Sequence, residues 1–408
     1  MISSKSFTKT GIGYSQKENS FEAGVEIARS TLSNKTLASN TLFFLFATPH
    51  HNIDALIDGI KSILGEDPKF LGCTTTGLVT KDFISYSGVL AGGGFITSDS
   101  TFFELFFEEN IKNREFDAGK SIAQKMQDAN TANDAGVILF YDSIKVTSTE
   151  GTPELNLATP LLEGFYTQYK FWPTTAGIGS WSEIHIINPC LVWASNKIKR
   201  HGLAAATVFG SIKMDTVILH GTRPISGYHR ITKANKNVIF ELDGKPALEV
   251  IDTLLGGSIS WEDFPLLVTL GVNNGDQFGE FNEDNYASRL CFSIDRERKA
   301  LIMFETDLTE GSNVQLMRRD IDFKYIPRQI DKLMSKIGDR KPVFALYIDC
   351  LGRVSGFSGL PEEESLEVAK ILGNIPFFGI FSGVEIANVG ATVKALDWTG
   401  VLCLFTEK

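Results

Sequence analysis

The residues with the clearest chemical potential lie in the segment FLGCTTTGLVT, residues 70 to 80, where one thiol and three threonine hydroxyls stand between two glycines. Such a turn can carry a nucleophile, cradle a phosphate, or form a strand end that receives a small molecule. The two inner glycines are five residues apart with no serine between them, which does not fit the G-x-S-x-G nucleophile elbow. No Gly-Lys-Ser or Gly-Lys-Thr follows, so the segment is not a Walker loop.

Cys73 is the one nucleophile that this segment offers, and it would need a nearby base. His50 and His51 lie about twenty residues upstream, after the preceding apolar run. This pairing gives one functional hypothesis, a cysteine-dependent hydrolase or transferase. A single cysteine at a strand end more often packs than reacts, because only a thiolate in a polar, accessible setting is reactive. We therefore expect a binding role, with no catalytic residues and no enzymatic activity.

The same kind of turn occurs twice more along the chain, in PTTAGIGS and in PFFGIFSGVEI. In each copy a proline precedes the first glycine by three or four residues, in the pairs Pro68 and Gly72, Pro173 and Gly177, and Pro376 and Gly379. Repetition of a spaced pattern indicates repeated structural units, so we treat the three turns as equivalent parts of one architecture.

Each turn follows the same order of elements: an apolar strand, an amphipathic helix, the glycine-bearing segment and a closing strand. A more divergent fourth copy is predicted over residues 238 to 272. This order predicts an α/β fold with α+β character, in two domains built from repeated strand-helix-strand units with mixed, partly antiparallel sheets. The glycines, proline and basic residues of GTRPISGYHRITKANKN indicate a boundary, which gives predicted domains over residues 30–225 and 226–408.

Composition narrows the class of partner. The 408 residues carry a formal net charge of -10, which argues against nucleic acid because phosphate-backbone binding needs clustered lysine and arginine. Neither a signal peptide nor an apolar run long enough to span a membrane is evident, so we expect a cytoplasmic protein. The five cysteines include no CxxC pair, so we predict neither a disulfide framework nor a metal site.

Glycine lets a ligand approach the main chain, and threonine hydroxyls beside free backbone N–H groups suit a small polar molecule. Equivalent turns of repeated units tend to gather at one end of the sheets, so we predict that the three turns line one cleft. Arg289 and Arg353 would supply positive charge for a ligand carboxylate, while a structural ion pair is the alternative for them. The predicted ligand-binding residues are Cys73, Thr74, Thr75, Thr76, Gly77, Gly177, Gly179, Ser180, Arg289, Arg353, Phe381, Ser382 and Glu385.

Several segments together carry a family resemblance: FLGCTTTGLVT, TTAGIGSW, ITKANKNVIFELDGKPALEVID in mid-chain, and YIDCLGRV with PFFGIFSGVEIA near the end. In order and spacing the chain resembles the FIST family, with both the N-terminal and the C-terminal domain, over roughly residues 30 to 405. The resemblance implies a bacterial sensory protein that binds a small molecule such as an amino acid or another carboxylate. It also implies a separate signalling partner, such as a histidine kinase of a two-component system or a cyclic-dinucleotide enzyme.

Some FIST proteins that this chain resembles are haem-containing nitric-oxide sensors, so a haem-binding sensor is a second functional hypothesis. The six histidines are scattered, and no CxxCH attachment motif is present, so we expect no cofactor. Many family members carry His-Asn before the final strand, where this chain has Asp397 and Trp398 before Thr399. That departure puts in doubt any ligand role carried over to this position.

Overall fold

The computed structural model describes residues 8–33, 36–65, 68–129, 135–265, 267–320 and 322–407. Its α-helices are α1 Ser20–Leu32, α2 Ile53–Leu64, α3 Glu115–Asp128, α4 Ala158–Tyr169, α5 Ala247–Leu254, α6 Tyr325–Ile337, α7 Ser355–Ser358 and α8 Glu364–Leu372. Its 3₁₀ turns are Trp261–Asp263, Glu283–Asn285 and Leu351–Arg353.

The strands of the first half, in chain order, are β1 Thr8–Ser15, β2 Asn40–Ala47, β3 Lys69–Thr74, β4 Leu78–Val79, β5 Ile84–Ser85, β6 Ala91–Ser98, β7 Thr101–Glu108, β8 Gly136–Asp142, β9 Ile144–Val146, β10 Glu154–Leu155, β11 Thr175–Ser180, β12 Val192–Ala194, β13 Lys197–Lys199, β14 Leu203–Gly210 and β15 Ile212–Leu219. Those of the second half are β16 Thr222–Pro224, β17 His229–Asn235, β18 Val238–Leu242, β19 Lys245–Pro246, β20 Thr269–Asn273, β21 Tyr286–Asp295, β22 Ala300–Met303, β23 Asn313–Arg319, β24 Lys341–Cys350, β25 Phe377–Ser382, β26 Val384–Val389, β27 Thr392–Leu396 and β28 Gly400–Glu407.

The predicted elements form where local chemistry favours them. Helix α2 covers the amphipathic run after β2; the Asn52 side chain caps its start by accepting the N–H of Ala55, and Gly65 ends it in the left-handed region. Strand β2 is apolar at nearly every position because both of its faces are covered. The prediction of an α/β fold with mixed sheets is confirmed.

Three six-stranded sheets share one plan, and together with α1–α4, α6 and α8 we call them the ring. In each sheet two parallel strands, joined by a helix, lie beside an antiparallel closing strand: β2 and β3 with β6, β8 and β11 with β14, β24 and β25 with β28. These sets are the three predicted repeats. The inner faces of the three sheets build one apolar core that includes Phe44, Phe140 and Phe344.

The three repeats exchange hairpins in a cycle. Hairpin β4–β5 of the first repeat pairs with β25 of the third, and β26–β27 of the third pairs with β11 of the second. Hairpin β12–β13 of the second repeat pairs with β3 of the first. Each sheet is therefore completed by a hairpin from another repeat, and the three turns that precede these hairpins meet at the centre of the ring.

The predicted fourth repeat is wrong. Strand β18 neighbours β17 and β22 rather than β20, and β20 also pairs with β23, so β17, β18 and β20–β23 close into an antiparallel barrel. We call these strands, with β16, β19 and α5, the barrel; it has its own apolar core. The barrel is inserted between β15 and α6, and residues 325–407 then return to the ring.

Candidate ligand-binding site

The first and third predicted turns are in direct contact. The Thr75 hydroxyl donates to the Phe381 carbonyl over 2.7 Å, and the Phe381 N–H donates to the Gly77 carbonyl over 3.3 Å. These bonds form because hairpin β4–β5 extends the sheet of β25. The chain thus brings together residues that are 306 positions apart.

The second predicted turn joins the other two. The Thr76 hydroxyl donates to the Trp181 carbonyl over 3.2 Å, and the Gly383 N–H donates to the Gly179 carbonyl over 3.0 Å. Residues from all three predicted turns therefore meet in the centre of the ring. Their role in ligand binding stays a prediction, since the contacts between them are contacts of the protein with itself.

Protein atoms fill the space between the turns. All thirteen predicted ligand-binding residues are buried, and of these only Ser382 lines either of the two cavities described below. A Cβ added to Gly77 would lie 2.2 Å from the Ser85 carbonyl oxygen, and one added to Gly179 would lie 2.8 Å from Val384 Cβ. At these positions glycine therefore permits the close approach of the protein's own chain.

Arg353 is fully buried in an ion-pair network. Its guanidinium pairs with Asp349 at 3.0 Å and with Glu364, and it donates to the Tyr325 hydroxyl over 2.8 Å. Burial raises the pKa of Glu364 to about 7 against the opposing effect of Arg319. The ion-pair alternative is thus the arrangement that the structure shows for Arg353, and its partners do not include Glu385.

Arg289 is also buried and ion-paired, and it lies on the barrel where the barrel contacts the ring. Its Nε and Nη2 donate to Asp307 over 2.7 and 2.5 Å, and its Nη1 donates to the carbonyls of Ser288 and Ala395. The bidentate pair neutralises Arg289 within the protein. Glu385 accepts from the Ser382 hydroxyl over 2.7 Å, and burial raises its pKa well above the ordinary value.

Cys73 lies in the central apolar core, where burial, followed by the charge of Asp142, raises the pKa of its thiol well above the ordinary value. His51 Nδ1 is engaged by the Ser20 hydroxyl at 3.1 Å, and His50 is exposed. A buried thiol with a raised pKa is a poor nucleophile. The geometry therefore gives no support to the hypothesis of a cysteine-dependent enzyme.

The histidines do not form a recognisable haem site in the part of the chain that the structure describes. Both ring nitrogens of buried His220 are engaged, by the Glu283 carbonyl at 3.0 Å and by the Thr222 N–H at 2.9 Å. His201 lies beside Asp142, and His185 is exposed. No described histidine is among the residues that line the two cavities between ring and barrel. His220 could act as an axial ligand only by giving up one of these contacts.

Two cavities lie between the ring and the barrel. The first, cavity A, has a volume of about 100 Å³ and adjoins the third turn. Its walls are aromatic and aliphatic apart from Ser382 and Asp397. The lining residues are Trp181, Ile184, Leu290, Phe304, Cys350, Leu351, Gly352, Phe357, Ser382, Gly383, Asp397 and Trp398.

The second cavity, cavity B, is larger, at about 280 Å³, and shares Trp398 with cavity A. It is lined by Ile225, Leu255, Ile259, Leu267, Val268, Leu316, Met317, Arg318, Arg319, Ser358, Leu360 and Trp398. The side chain of Arg319 is 6% exposed and pairs with Glu364 through Nη2. Among the described residues, Arg319 Nε and Nη1 have no hydrogen-bond partner.

Sequence reasoning missed Arg319, Trp181 and Trp398 as cavity residues. Trp181 directly follows the second turn in TTAGIGSW, which was an available signal. Trp398 lies at the position where the chain departs from the family pattern, and it has a left-handed backbone with φ of 55°. A bulky residue in that region is a strained outlier, which is typical of functional sites. Nothing in the sequence around Arg319 indicated that it is buried.

Comparison with protein families gives two adjoining matches. Residues 41–245 match the FIST N domain and residues 247–388 match the FIST C domain. A protein of Methanocaldococcus jannaschii described as uncharacterised is 24% identical over 82% of this chain and 64% of its own length. A second protein so described, from Mycobacterium tuberculosis H37Rv, is 25% identical over 47% of this chain and 51% of its own length. The chain spans about half to two thirds of the length of these relatives.

Among solved structures, PurLQS from Thermotoga maritima overlaps 98% of this chain and 72% of its own chain at 10% identity, with a TM-score of 0.22. That score carries no conclusion about fold or function. No helix within the described ranges is long and apolar enough to cross a membrane.

Proposed function

Because the chain belongs to the FIST family, whose domains are generally taken to be small-ligand sensory domains in signal transduction, we propose that it is a sensor for a small carboxylate that binds in cavity B. Arg319, which lines this cavity, takes the place of Arg289 and Arg353 as the proposed carboxylate partner. The proposal is for a binding protein without catalysis, and the buried Cys73 is consistent with it.

The observation that carries the proposal is the incomplete pairing of Arg319. The guanidinium lies over the Trp398 ring, 5.8 Å from its centroid, but Nε and Nη1 make no hydrogen bond. Buried donors without an acceptor are costly, because they have lost their hydrogen bonds to water. A carboxylate would supply two acceptors in a planar arrangement that matches a guanidinium. Burial, followed by the charge of Arg353, lowers the pKa of Arg319, and an anion nearby would oppose both effects.

The other walls of cavity B specify the body of the ligand. Leu255, Ile259, Leu267, Leu316 and Leu360 present aliphatic surface, and Trp398 adds an aromatic wall. The volume of about 280 Å³ is slightly below that of ordinary ligand pockets, which run from roughly 300 to 1,000 Å³. These features favour a short aliphatic or aromatic carboxylate, including an apolar amino acid.

We propose that the output runs through a separate cytoplasmic protein, such as a histidine kinase of a two-component system or a cyclic-dinucleotide enzyme. Cavity B has walls from both the ring and the barrel, so a ligand there would favour one arrangement of the two bodies over another. A ligand changes a protein's signalling state only through such a difference in affinity. A partner that contacts both bodies would sense the change.

The test is calorimetric titration of the purified protein with hexanoate and phenylacetate, together with hexanol as the neutral comparison. We expect the carboxylates to bind and Arg319→Gln to weaken them at least about tenfold, since the lost charge-assisted hydrogen bonds are worth about 1.5–3 kcal/mol. Arg298→Gln, at an exposed arginine of the barrel that does not line cavity B, is the control and should bind as the wild type does.

Binding that survives Arg319→Gln would overturn the assignment of Arg319. Absence of carboxylate binding to the wild type would overturn the proposed ligand class. Mass spectrometry of small molecules that remain bound through native purification then gives the ligand directly, and a Soret band in haem-supplemented protein would return the function to a haem sensor.

A further inference from the structure

Cavity A differs from cavity B in the chemistry of its walls. Four aromatic side chains, those of Trp181, Phe304, Phe357 and Trp398, line a volume of only about 100 Å³. The faces of aromatic rings carry negative electrostatic potential, and they attract cations that are held within about 6 Å of the ring centre. The size restricts any occupant to a compact molecule.

Asp397 adds a carboxylate to these aromatic walls. Its side chain is buried, and Oδ2 accepts the N–H of Leu290 over 2.9 Å. Among the described residues, Oδ1 has no hydrogen-bond donor. An unsatisfied buried carboxylate oxygen costs free energy, so a donor within the cavity would be stabilised there.

The charges around Asp397 favour a positive occupant. The carboxylates of Glu305 and Glu385 both interact unfavourably with that of Asp397. Arg289 is the cation that offsets Asp397, but its Nε and Nη2 are already paired with Asp307 over 2.7 and 2.5 Å. The guanidinium of Arg289 is therefore paired with Asp307, and Asp397 Oδ1 is left without a hydrogen-bond partner.

We propose that cavity A is a second ligand site, which takes a small primary ammonium ion with a short apolar body. The ammonium donates to Asp397 Oδ1 and lies against the rings of Trp181 and Trp398, while the apolar body contacts Phe304 and Phe357. Cavities A and B share Trp398, but the two ligand assignments are tested at different residues, Asp397 and Trp181 for cavity A and Arg319 for cavity B.

The experiment is calorimetric titration of the full chain with isobutylammonium chloride, with isobutanol as the neutral comparison and isobutyrate as the anionic one. We expect the ammonium to bind at least about tenfold more tightly than isobutanol, which corresponds to the sum of a buried charge pair and a cation–π contact. Asp397→Asn keeps an oxygen that can accept the Leu290 N–H, and it should abolish this preference for the ammonium.

Trp181→Leu tests the aromatic wall without touching the carboxylate, and we expect a loss of several-fold for the ammonium but not for isobutanol. Asp295→Asn, at an acid in a salt bridge with Arg298 on the barrel, is the control and should leave binding unchanged. The proposal is overturned if the wild type binds isobutanol as tightly as isobutylammonium or binds neither compound. It is also overturned if Asp397→Asn still binds the ammonium more tightly than isobutanol. Carboxylate binding that depends on Arg319 is unaffected by each of these results.

Discussion

Buried carboxylates are unusually frequent where the ring meets the barrel. Burial raises the pKa of Asp397 to about 6, and burial together with the charge of Asp397 raises that of Glu305 to about 7. Glu305 is partly compensated because it accepts the N–H groups of Ala158 and Thr159 at the start of α4. Keeping these buried acids ionised therefore lowers the free energy of unfolding of the protein.

We predict that Asp397→Asn changes how stability depends on pH. An acid with a raised pKa binds its proton more readily in the folded state, so the free energy of unfolding falls as pH rises from about 4 through about 6. The variant lacks this loss of stability, and it should be more stable than the wild type by about 3 kcal/mol at pH 8 but not at pH 4.

Urea unfolding at pH 4 and pH 8 measures this difference. Asp295→Asn serves as the control, because the pKa of Asp295 is lowered by its hydrogen bonds to Arg298, and its removal should give no gain at pH 8. An equal stability difference between Asp397→Asn and the wild type at both pH values would contradict the prediction.

At the scale of elements, the helices of the first two repeats pack in pairs with almost no side chain between them. A Cβ on Gly119 of α3 would lie 1.9 Å from the Leu161 carbonyl oxygen, and one on Gly164 of α4 would lie 1.9 Å from that of Phe116. In the pair α1 and α2, a Cβ added to Gly24 or to Gly59 would likewise lie 2.1 Å from a carbonyl oxygen of the partner helix. Glycine in a helix is unfavourable by itself, so close packing explains its presence here.

We predict that Gly119→Ala destabilises the protein by about 1–3 kcal/mol, because α3 and α4 must move apart to admit the methyl group. Helix propensity alone would instead give a gain of about 1 kcal/mol. Urea unfolding decides between the two signs. Gly227→Ala is the control, since Gly227 is exposed and no atom lies within 4 Å of an added Cβ.

The sequence predicted the repeated units and their order, but it did not predict which strands of different repeats pair. The spacing of Pro68, Pro173 and Pro376 to the following glycines identified three repeats, because each repeat uses the same local turn. The exchange of hairpins was not predictable, since β4 pairs with a strand about 300 residues away and local propensity carries no information on such contacts. The roles of Arg319 and Asp397 follow from burial, which charged residues in a single sequence do not reveal.

At the scale of the whole molecule, the barrel is an insertion whose two ends are adjacent. The Asp320 N–H donates to the Gly221 carbonyl over 2.7 Å, and the segment between them closes its own sheet around its own core. Units with adjacent ends and a separate core commonly fold by themselves. The contact with the ring combines the buried polar groups described above with an apolar part that includes Trp181, Leu290 and Phe304.

We predict that residues 222–319 fold when expressed alone, and that a ring in which a short Gly-Ser linker joins Gly221 to Asp320 also folds. Each should show a cooperative thermal transition and dispersed amide resonances, with the apolar contact surface raising its tendency to associate. A barrel segment that stays unfolded in isolation would show that the ring is required for its stability.

Because the repeats exchange hairpins, some strand pairs can form only after the last repeat has been synthesised. Thr75 leaves the ribosome 306 residues before Phe381, the residue whose carbonyl its hydroxyl contacts. At translation rates of about 5–20 residues per second, roughly 15–60 s pass between the synthesis of Thr75 and that of Phe381. During this interval β3 and hairpin β4–β5 are nascent strands without their final neighbours, and such edges can pair with other chains. Codon usage and chaperone access over the last repeat should therefore govern the yield of soluble protein.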